Sequence, residues 1–220
     1  MYKSLPLVIF CFFLGCKNKS AEQYLNEAAR LSEQKKYGEA ILKLDKAIEI
    51  NPRYIGAYIN RGADKASLGE TEAAIMDYQK VLTIDPGNIL ALGNIANNYH
   101  KMENYEKAIH YLYRAIRIKE KSPLTVDLME QQTSSKDFDI PYNEICFRLG
   151  LVYYDADSLS KANQYFDDAL KSGYMPDKCY YWIGWVNLSS GKTNSACSFF
   201  TKAIIYGNIE ADSVRQLYCQ

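Results

Sequence analysis

The sequence has little histidine, little proline and no excess of either charge. Its 220 residues include two His and six Pro, and 26 basic residues balance 26 acidic ones. Because the chain has no net positive charge that would attract a polyanion, we expect no nucleic-acid partner. His100 and His110 have no Cys or carboxylate at ligand spacing, so the sequence predicts no metal site.

Motifs that carry enzymatic chemistry are also absent from the sequence. The chain has no glycine-rich phosphate loop, no Gly-x-Ser-x-Gly elbow and no His-Glu-x-x-His pair. Asp167 and Asp168 are adjacent on a predicted helix and would diverge, so they do not form an acid–base pair. We therefore expect no catalytic residue and no cofactor.

A short apolar run lies near the N-terminus. Residues 5–14 carry no charged side chain, and a run of about ten residues is too short to cross a bilayer as a helix. The run leads to Gly15-Cys16, after which the chain becomes polar. This pattern resembles the lipobox of bacterial lipoproteins, although that family usually has Leu and a small residue where this chain has Phe13 and Leu14.

The lipobox resemblance implies a signal peptide at 1–15 and a lipidated Cys16 on a linker at 16–20. An ordinary cleaved signal and an uncleaved short anchor remain alternatives. Two or three acyl chains would hold the protein on a membrane stably. Because residues 17–20 include no acidic residue of the kind that some bacterial groups use for surface export, we expect a lipid-anchored protein of the bacterial cell envelope, at the outer membrane and facing the periplasm.

The chain does contain an internal repeat, with a period of about 34 residues. Ala recurs at this spacing in two series, and a large apolar residue follows each Ala by four positions. Upstream of each Ala, a predicted first helix carries Gly or Ala, preceded four residues earlier by a bulky residue or Cys. The alanines are Ala40, Ala74, Ala108, Ala162 and Ala196, and the upstream small residues are Ala28, Gly62, Ala96, Gly150 and Gly184.

This pattern resembles the tetratricopeptide repeat. The resemblance implies an all-α, right-handed α-solenoid of five helix–turn–helix units, because neither helix of a unit can bury its apolar stripe alone. Units 1–3 occupy 21–122, units 4–5 occupy 143–210, and a capping helix occupies 211–220. The individual units are 21–54, 55–88, 89–122, 143–176 and 177–210. Glu27 and Arg61 depart from the pattern, since they stand where other units have Leu or Ile.

Residues 123–142 form an insertion between units three and four. We expect one short helix at 125–132 and an extended return. Loops of this length in compact domains are often functional or mobile. A role in partner binding and a tolerated insertion both remain open.

In tetratricopeptide arrays, the second, fifth, ninth, twelfth and thirteenth positions of each first helix line the inner groove. The resemblance therefore implies a groove that is polar in its middle and aromatic toward the C-terminus, where aromatic rings suit peptide capture. Packing of these rings against the insertion or the cap is the alternative. The carboxylate clamp of this family is not expected, because no fifth position is Lys. The predicted partner-binding residues are Asn94, Asn97, Phe147, Leu151, Tyr154, Tyr181 and Trp185.

Cys197 and Cys219 lie on either side of the predicted turn at Gly207-Asn208. With a rise of about 1.5 Å per residue, an antiparallel final helix brings Cys219 almost level with Cys197. A disulfide between them and two free thiols both remain open. A bridge between Cys146 and Cys179 is less expected, because they start neighbouring helices whose axes pack about 8–10 Å apart.

The sequence as a whole favours a non-catalytic scaffold that is tethered to a bacterial envelope membrane and binds a protein or peptide partner in its groove. The alternative is a soluble periplasmic or secreted binding module for a small ligand or glycan. Fold and anchor alone do not identify the partner.

Overall fold

The computed structural model describes residues 19–121 and 139–219, and every regular element in these two ranges is an α-helix. The predicted all-α solenoid of paired helices is confirmed. The helices are α1 (Ala21–Glu33), α2 (Tyr37–Ile50), α3 (Ile55–Ser67), α4 (Thr71–Ile84), α5 (Ile89–Lys101), α6 (Tyr105–Lys121), α7 (Tyr142–Asp155), α8 (Leu159–Lys171), α9 (Pro176–Ser189), α10 (Thr193–Ile205) and α11 (Glu210–Tyr218).

Helices α1 to α10 form five consecutive pairs, and each pair packs against the next. The predicted signal peptide at 1–15, the proposed lipid site Cys16 and the predicted helix at 125–132 lie outside the described residues.

Short sequence signals mark the start of the first helix and the turn between the two helices of each unit. At the start of α1, the Ser20 hydroxyl accepts a hydrogen bond from the Gln23 N–H, and the Gln23 side chain accepts one from the Ser20 N–H. The turn inside every unit contains one residue in the left-handed region, with φ between 55° and 83°. Glycine adopts this conformation without steric cost, but three of the five units use other residues. These turn residues are Lys35, Gly69, Glu103, Asp157 and Gly191.

A small residue on the first helix of each unit is paired with a large one on the second. Where the small residue is Gly, an aromatic ring lies directly on it, and an added Cβ would come within 2.5 to 2.8 Å of that ring. Where the small residue is Ala, the large one is Leu. The sum of the two volumes is thus roughly conserved, as close packing requires. The pairs are Gly62–Tyr78, Gly150–Phe166, Gly184–Phe200, Ala28–Leu44 and Ala96–Leu112.

Arg61, one of the two departures from the repeat pattern, is held by carboxylates on both sides. Its guanidinium donates to Asp77 of α4 at 2.5 and 2.9 Å and to Asp45 of α2 at 2.6 Å. Lys65 donates to the same Asp77 at 2.8 Å. Burial opposes the charge of Arg61, but the bonds to the two carboxylates outweigh burial and raise its pKa. An ion-pair network therefore replaces the apolar contact at this position.

The junction between units three and four is stacked like the others, although an insertion precedes α7. Ile140 is buried, and its side chain lies on Gly93 of α5, where an added Cβ would come within 2.5 Å of the Ile140 methyl. Asp139 forms an ion pair with Lys119 near the end of α6. The end of the insertion is therefore attached to unit three.

The final helix, α11, covers the end of the solenoid. Its inner face carries Ala211 and Val214, which pack on α10, and Tyr218, whose ring lies against Trp185 of α9. On the remaining face Ser213 and Gln216 are exposed, and so is the apolar Leu217, at 72%. An array of this kind needs a covering helix at its end, because the last unit has no following neighbour.

Candidate functional site

The first helices of the five units share one solvent-facing stripe. Residues at the sixth, ninth and thirteenth positions of each unit are half-buried or exposed in every case, whereas the fifth position is buried in three units. We call these fifteen residues the groove stripe. It comprises Asn26, Ala29, Glu33, Asn60, Ala63, Ser67, Asn94, Asn97, Lys101, Arg148, Leu151, Asp155, Trp182, Trp185 and Ser189.

Four of the seven residues predicted to bind a partner lie in or beside the middle of this stripe. Asn94 is half-buried and Asn97 is exposed on α5, and Leu151 is half-buried on α7. The Tyr154 hydroxyl lies 3.2 Å from the Ser189 hydroxyl of α9, and its ring packs edge-on against Trp182 at 5.3 Å. These residues are accessible from the groove side of the first helices.

The structure places the other three predicted residues differently. Phe147 is 8% exposed, and its ring packs against Phe166 at 5.6 Å, so it belongs to the core. Tyr181 and Trp185 are half-buried and pack with the cap. Packing of the aromatic residues against the cap was the alternative to a role in partner binding. A partner therefore cannot contact Phe147 without displacing core side chains.

Most stripe residues were not among the predicted groove contacts, and Arg148 and Trp182 are the bulky ones that the prediction missed in units four and five. Both occupy the sixth position, one residue beyond the buried fifth position. One residue corresponds to about 100° of helix rotation, which is enough to move a side chain from the interface between helices to the groove. The available signal was the sixth-position series Asn26, Asn60 and Asn94, which is polar in three successive units.

A small cleft lies at the centre of the groove stripe, between α5 and α7. Asn97, Leu151 and Arg148 line it. Arg148 is held in place, because its guanidinium donates to Glu144 at 2.5 and 3.1 Å and to the Gly93 carbonyl at 3.3 Å. His100 also lines the cleft, and its Nε2 lies 2.6 Å from an Asp155 carboxylate oxygen. These bonds fix polar side chains around an apolar floor, an arrangement that can orient a bound chain.

The two halves of the stripe differ in chemistry. Asn26, Asn60 and Asn94 recur once in each of three successive units and offer an amide donor and an amide acceptor there. An extended peptide needs partners for both its N–H and its C=O groups, which an amide can supply. Leu151 in the cleft and Trp182 beyond it offer apolar surface. The stripe can therefore bind the main chain at one end and an apolar side chain at the other.

The cysteines in the described ranges fall into two chemical classes. Cys197 and Cys219 are joined in a disulfide with Cα atoms 5.7 Å apart, which connects α10 to the end of α11. Cys146 and Cys179 are free and buried. Burial raises the pKa of both thiols, that of Cys179 to about 12, so neither is a reactive thiolate at neutral pH.

Neither a metal centre nor a membrane-spanning helix is found in the described parts of the chain. Within residues 19–121 and 139–219, no three His, Cys, Asp or Glu side chains converge as metal ligands would. In the same ranges, each helix is too short or too polar to cross a bilayer.

Comparison with known proteins gives the same fold and the same repeat. Models of the tetratricopeptide repeat match residues 53–121 and 177–204. The structure is similar to MamA 41-end from Desulfovibrio magneticus RS-1, with a TM-score of 0.68, 19% identity, and coverage of 85% of this chain and 94% of that chain. It is also similar to YrrB, a tetratricopeptide protein described as having an unusual peptide-binding site, with a TM-score of 0.62, 20% identity, and coverage of 90% and 92%.

Curated relatives match over part of their length. Subunit 3 of the anaphase-promoting complex of Schizosaccharomyces pombe is 26% identical over 129 residues, which cover 52% of this chain and 19% of that protein. The chain spans between 19% and 26% of the length of the first three curated relatives that it matches. The two repeat models and the curated relatives thus identify tetratricopeptide repeats in this chain, and the structural neighbours share the fold that its helix pairs form.

Proposed function

We propose that this chain is a non-catalytic scaffold that holds an extended segment of a partner protein along the groove stripe and is tethered to a bacterial envelope membrane. Proteins of this repeat family act as scaffolds for protein–protein interaction, and the comparisons support that general role here. The observation that carries the specific proposal is the unburied stripe, which continues across the first helices of all five units.

The partner segment binds by two kinds of contact. Asn60 and Asn94 pair with its main chain, and the surface around Leu151 and Trp182 takes an apolar or aromatic side chain. Such anchors commonly provide most of the binding free energy of an interface, while surrounding polar contacts set register. The groove residues are amides, aromatic rings and ion-paired side chains rather than a nucleophile beside a base, which favours binding over catalysis.

Site-specific photo-crosslinking in cells tests the groove. A photoreactive amino acid at Asn97 should form a discrete crosslinked product with an envelope protein. The matched control is Met76, which is 68% exposed on a second helix. Products formed at Met76 and not at Asn97 would place the contact surface on the opposite side and refute the proposal.

Once the crosslinked partner is identified, its affinity for the double variant Asn60→Ala/Asn94→Ala, compared with its affinity for the wild type, gives the contribution of the two amides to binding. We expect binding to weaken by about tenfold or more, since two hydrogen bonds of about 1 kcal/mol each are lost. Far-UV circular dichroism should be unchanged, because both side chains face the groove. Glycan binding by the wild type without any protein partner would instead favour the small-ligand alternative.

Membrane tethering rests on the lipobox-like sequence that ends at Cys16. The disulfide between Cys197 and Cys219 also supports an oxidising compartment such as a bacterial periplasm. Metabolic labelling with a fatty acid should mark the wild type and not Cys16→Ser. Equal labelling, or no labelling of either protein, would contradict the lipid anchor and leave the groove proposal standing. Protease protection in intact cells tests the periplasm-facing orientation.

A further inference from the structure

The cap covers the last part of the groove stripe. At the ninth position, units two, three and four have Ala63, Asn97 and Leu151, which face the groove. Unit five has Trp185 at the same position, and the Tyr218 ring of α11 lies against it with ring centres 5.9 Å apart and planes at 71°. The Tyr218 side chain of the cap thus covers the indole ring of Trp185, which the stripe would otherwise expose to the groove.

Few interactions hold the cap in this position. Helix α11 has nine residues, and isolated helices shorter than about 12 residues are marginal in water. Its apolar contacts come from Ala211, Val214 and Tyr218. The chain enters α11 through Gly207, whose φ of 94° favours glycine, so the segment before the helix can act as a hinge. The Asn208 side chain just before α11 donates to the Asp177 carbonyl of α9 at 3.4 Å, and the covalent attachment is the disulfide between Cys197 and Cys219.

We propose that this disulfide is a thiol-exchange site that controls access to the C-terminal end of the groove. The co-reactant is a protein with a reactive dithiol. One of its thiolates attacks the disulfide, forms a mixed disulfide with one cysteine and releases the other as a thiolate, which takes up a proton. The second thiol of the reductant then displaces the first cysteine. The chain gains two electrons and two protons, and the reductant becomes a disulfide.

Accessibility separates this pair from the other two cysteines in the described ranges. Cys197 and Cys219 are half-exposed at the end of the solenoid, whereas Cys146 and Cys179 are fully buried. A dithiol protein can therefore reach the bridge without unfolding a unit. When the bridge opens, α11 leaves Trp185, and the groove gains one more aromatic position. If the proposed function holds, an apolar side chain of the partner segment takes the place of Tyr218.

Opening of the bridge should change the population of the undocked cap strongly. The disulfide closes a loop with a sequence separation of 22 residues. Removing a constraint of this size raises the population of the undocked cap by roughly 100-fold in the chain-entropy description. The other helices have their own cores and should be affected little.

Hydrogen exchange on the purified full chain tests the switch without any partner. With dithiothreitol, amides of α11 should exchange at least tenfold faster, while those of α9 and α10 keep their rates. The variant Cys197→Ala/Cys219→Ala should show the fast rates with or without reductant. As a matched control, Cys146→Ala/Cys179→Ala should respond to reductant as the wild type does. Unchanged α11 exchange, or equal acceleration of α9 to α11, would overturn the proposal.

Tryptophan fluorescence supplies a second measurement. In a Trp182→Phe background, Trp185 is the remaining tryptophan. Reduction should increase quenching of its fluorescence by acrylamide about twofold or more, whereas an unchanged quenching constant would mean that the cap stays docked. A photoreactive group at Trp185 should then crosslink the partner only after reduction. Because the first two measurements need no partner, failure of the switch can be distinguished from failure of the groove proposal.

Discussion

At the residue scale, the pairing of a small side chain on the first helix with a large one on the second gives a specific prediction about stability. In Gly150→Ala, the new Cβ would lie 2.5 Å from the Phe166 ring, which has little room to move in a fully buried site. We expect the free energy of unfolding to fall by about 1–3 kcal/mol, the usual cost of overpacking. Urea denaturation measures it. A second change, Phe166→Leu, should recover part of the loss, because units one and three combine Ala with Leu.

Gly38→Ala is the matched control for this prediction. Gly38 lies in α2, and an added Cβ there meets no atom within 4 Å. Here the ordinary helix propensity applies, and Ala should raise the free energy of unfolding by up to about 1 kcal/mol. Similar effects at positions 150 and 38 would mean that contact with the ring does not determine the choice of glycine.

A buried amide gives a second residue-scale prediction. The Asn98 side chain donates to the Asn94 carbonyl at 2.8 Å, but its Oδ1 has no hydrogen-bond partner among the described residues. One unit earlier, the equivalent Asp64 accepts a bond from Ser32 at 2.9 Å. Ser32 corresponds to Ala66 in the next unit, because the two positions are one full repeat apart.

We expect Ala66→Ser to satisfy this amide. The new hydroxyl should donate to Asn98 and raise the free energy of unfolding by about 1 kcal/mol relative to Ala63→Ser, which changes an exposed position on the same helix. Chemical denaturation of both variants gives the difference. If the two variants are equally stable, the unpaired amide is satisfied by other means, such as water.

At the element scale, the sequence predicts the helices well and their orientation less well. The regular spacing of Ala and Gly identifies all five helix pairs, because the close approach of two helices requires small residues at fixed places. The exposed side of each first helix depends on how neighbouring units rotate against each other. Phe147 and Arg148 show the consequence, since the first is buried and the second faces the cleft.

The ion-pair network around Arg61 shows another limit of prediction from the sequence at this scale. The sequence shows that Arg61 breaks an apolar position, but its partners lie on two other helices, one before it in the chain and one after it. Such contacts follow from the stacking of units and are invisible to the periodicity of one helix. In the same way, only the packed structure shows that the Tyr218 ring covers Trp185.

An element-scale prediction concerns the insertion. Ile140 on Gly93 and the ion pair between Lys119 and Asp139 attach the end of the inserted segment to unit three. Replacing residues 122–138 with a flexible linker of about six residues should therefore leave the stacking of α7 intact. We expect the temperature of thermal unfolding, followed by circular dichroism, to shift by less than about 3 °C, or roughly 1 kcal/mol for a chain of this size.

The control for this replacement is the same linker combined with Ile140→Ala. Loss of the buried isoleucine should destabilise the chain by about 2–5 kcal/mol, since it leaves a cavity on Gly93. A large loss of stability from the linker alone would show that the insertion supports the stacking. Loss of partner crosslinking at Asn97 in a stable linker variant would assign the insertion a part in binding.

At the scale of the whole molecule, stability should be distributed unevenly along the array. The largest cluster of buried residues runs from α5 to α9, whereas α1 and α2 share a small one formed mainly by alanines and Leu44. The disulfide adds a constraint at the C-terminal end. In an array whose units contact only their neighbours, local opening follows these differences instead of averaging over the chain.

We therefore expect the N-terminal units to open first. In mild urea, amides of α1 and α2 should exchange at least about tenfold faster than those of α7 and α8, as measured by hydrogen exchange and mass spectrometry. The variant Phe166→Leu, which weakens the large cluster, should reduce the difference in exchange rate between these two pairs of helices. Equal exchange rates in all helices would show that the array unfolds as one cooperative unit. If the gradient is found, two of the three stripe amides, Asn26 and Asn60, lie on the less stable N-terminal units, whereas Asn94 lies on α5 in the large cluster. A bound partner segment should therefore slow exchange most in the first two units, because binding to the folded form suppresses opening.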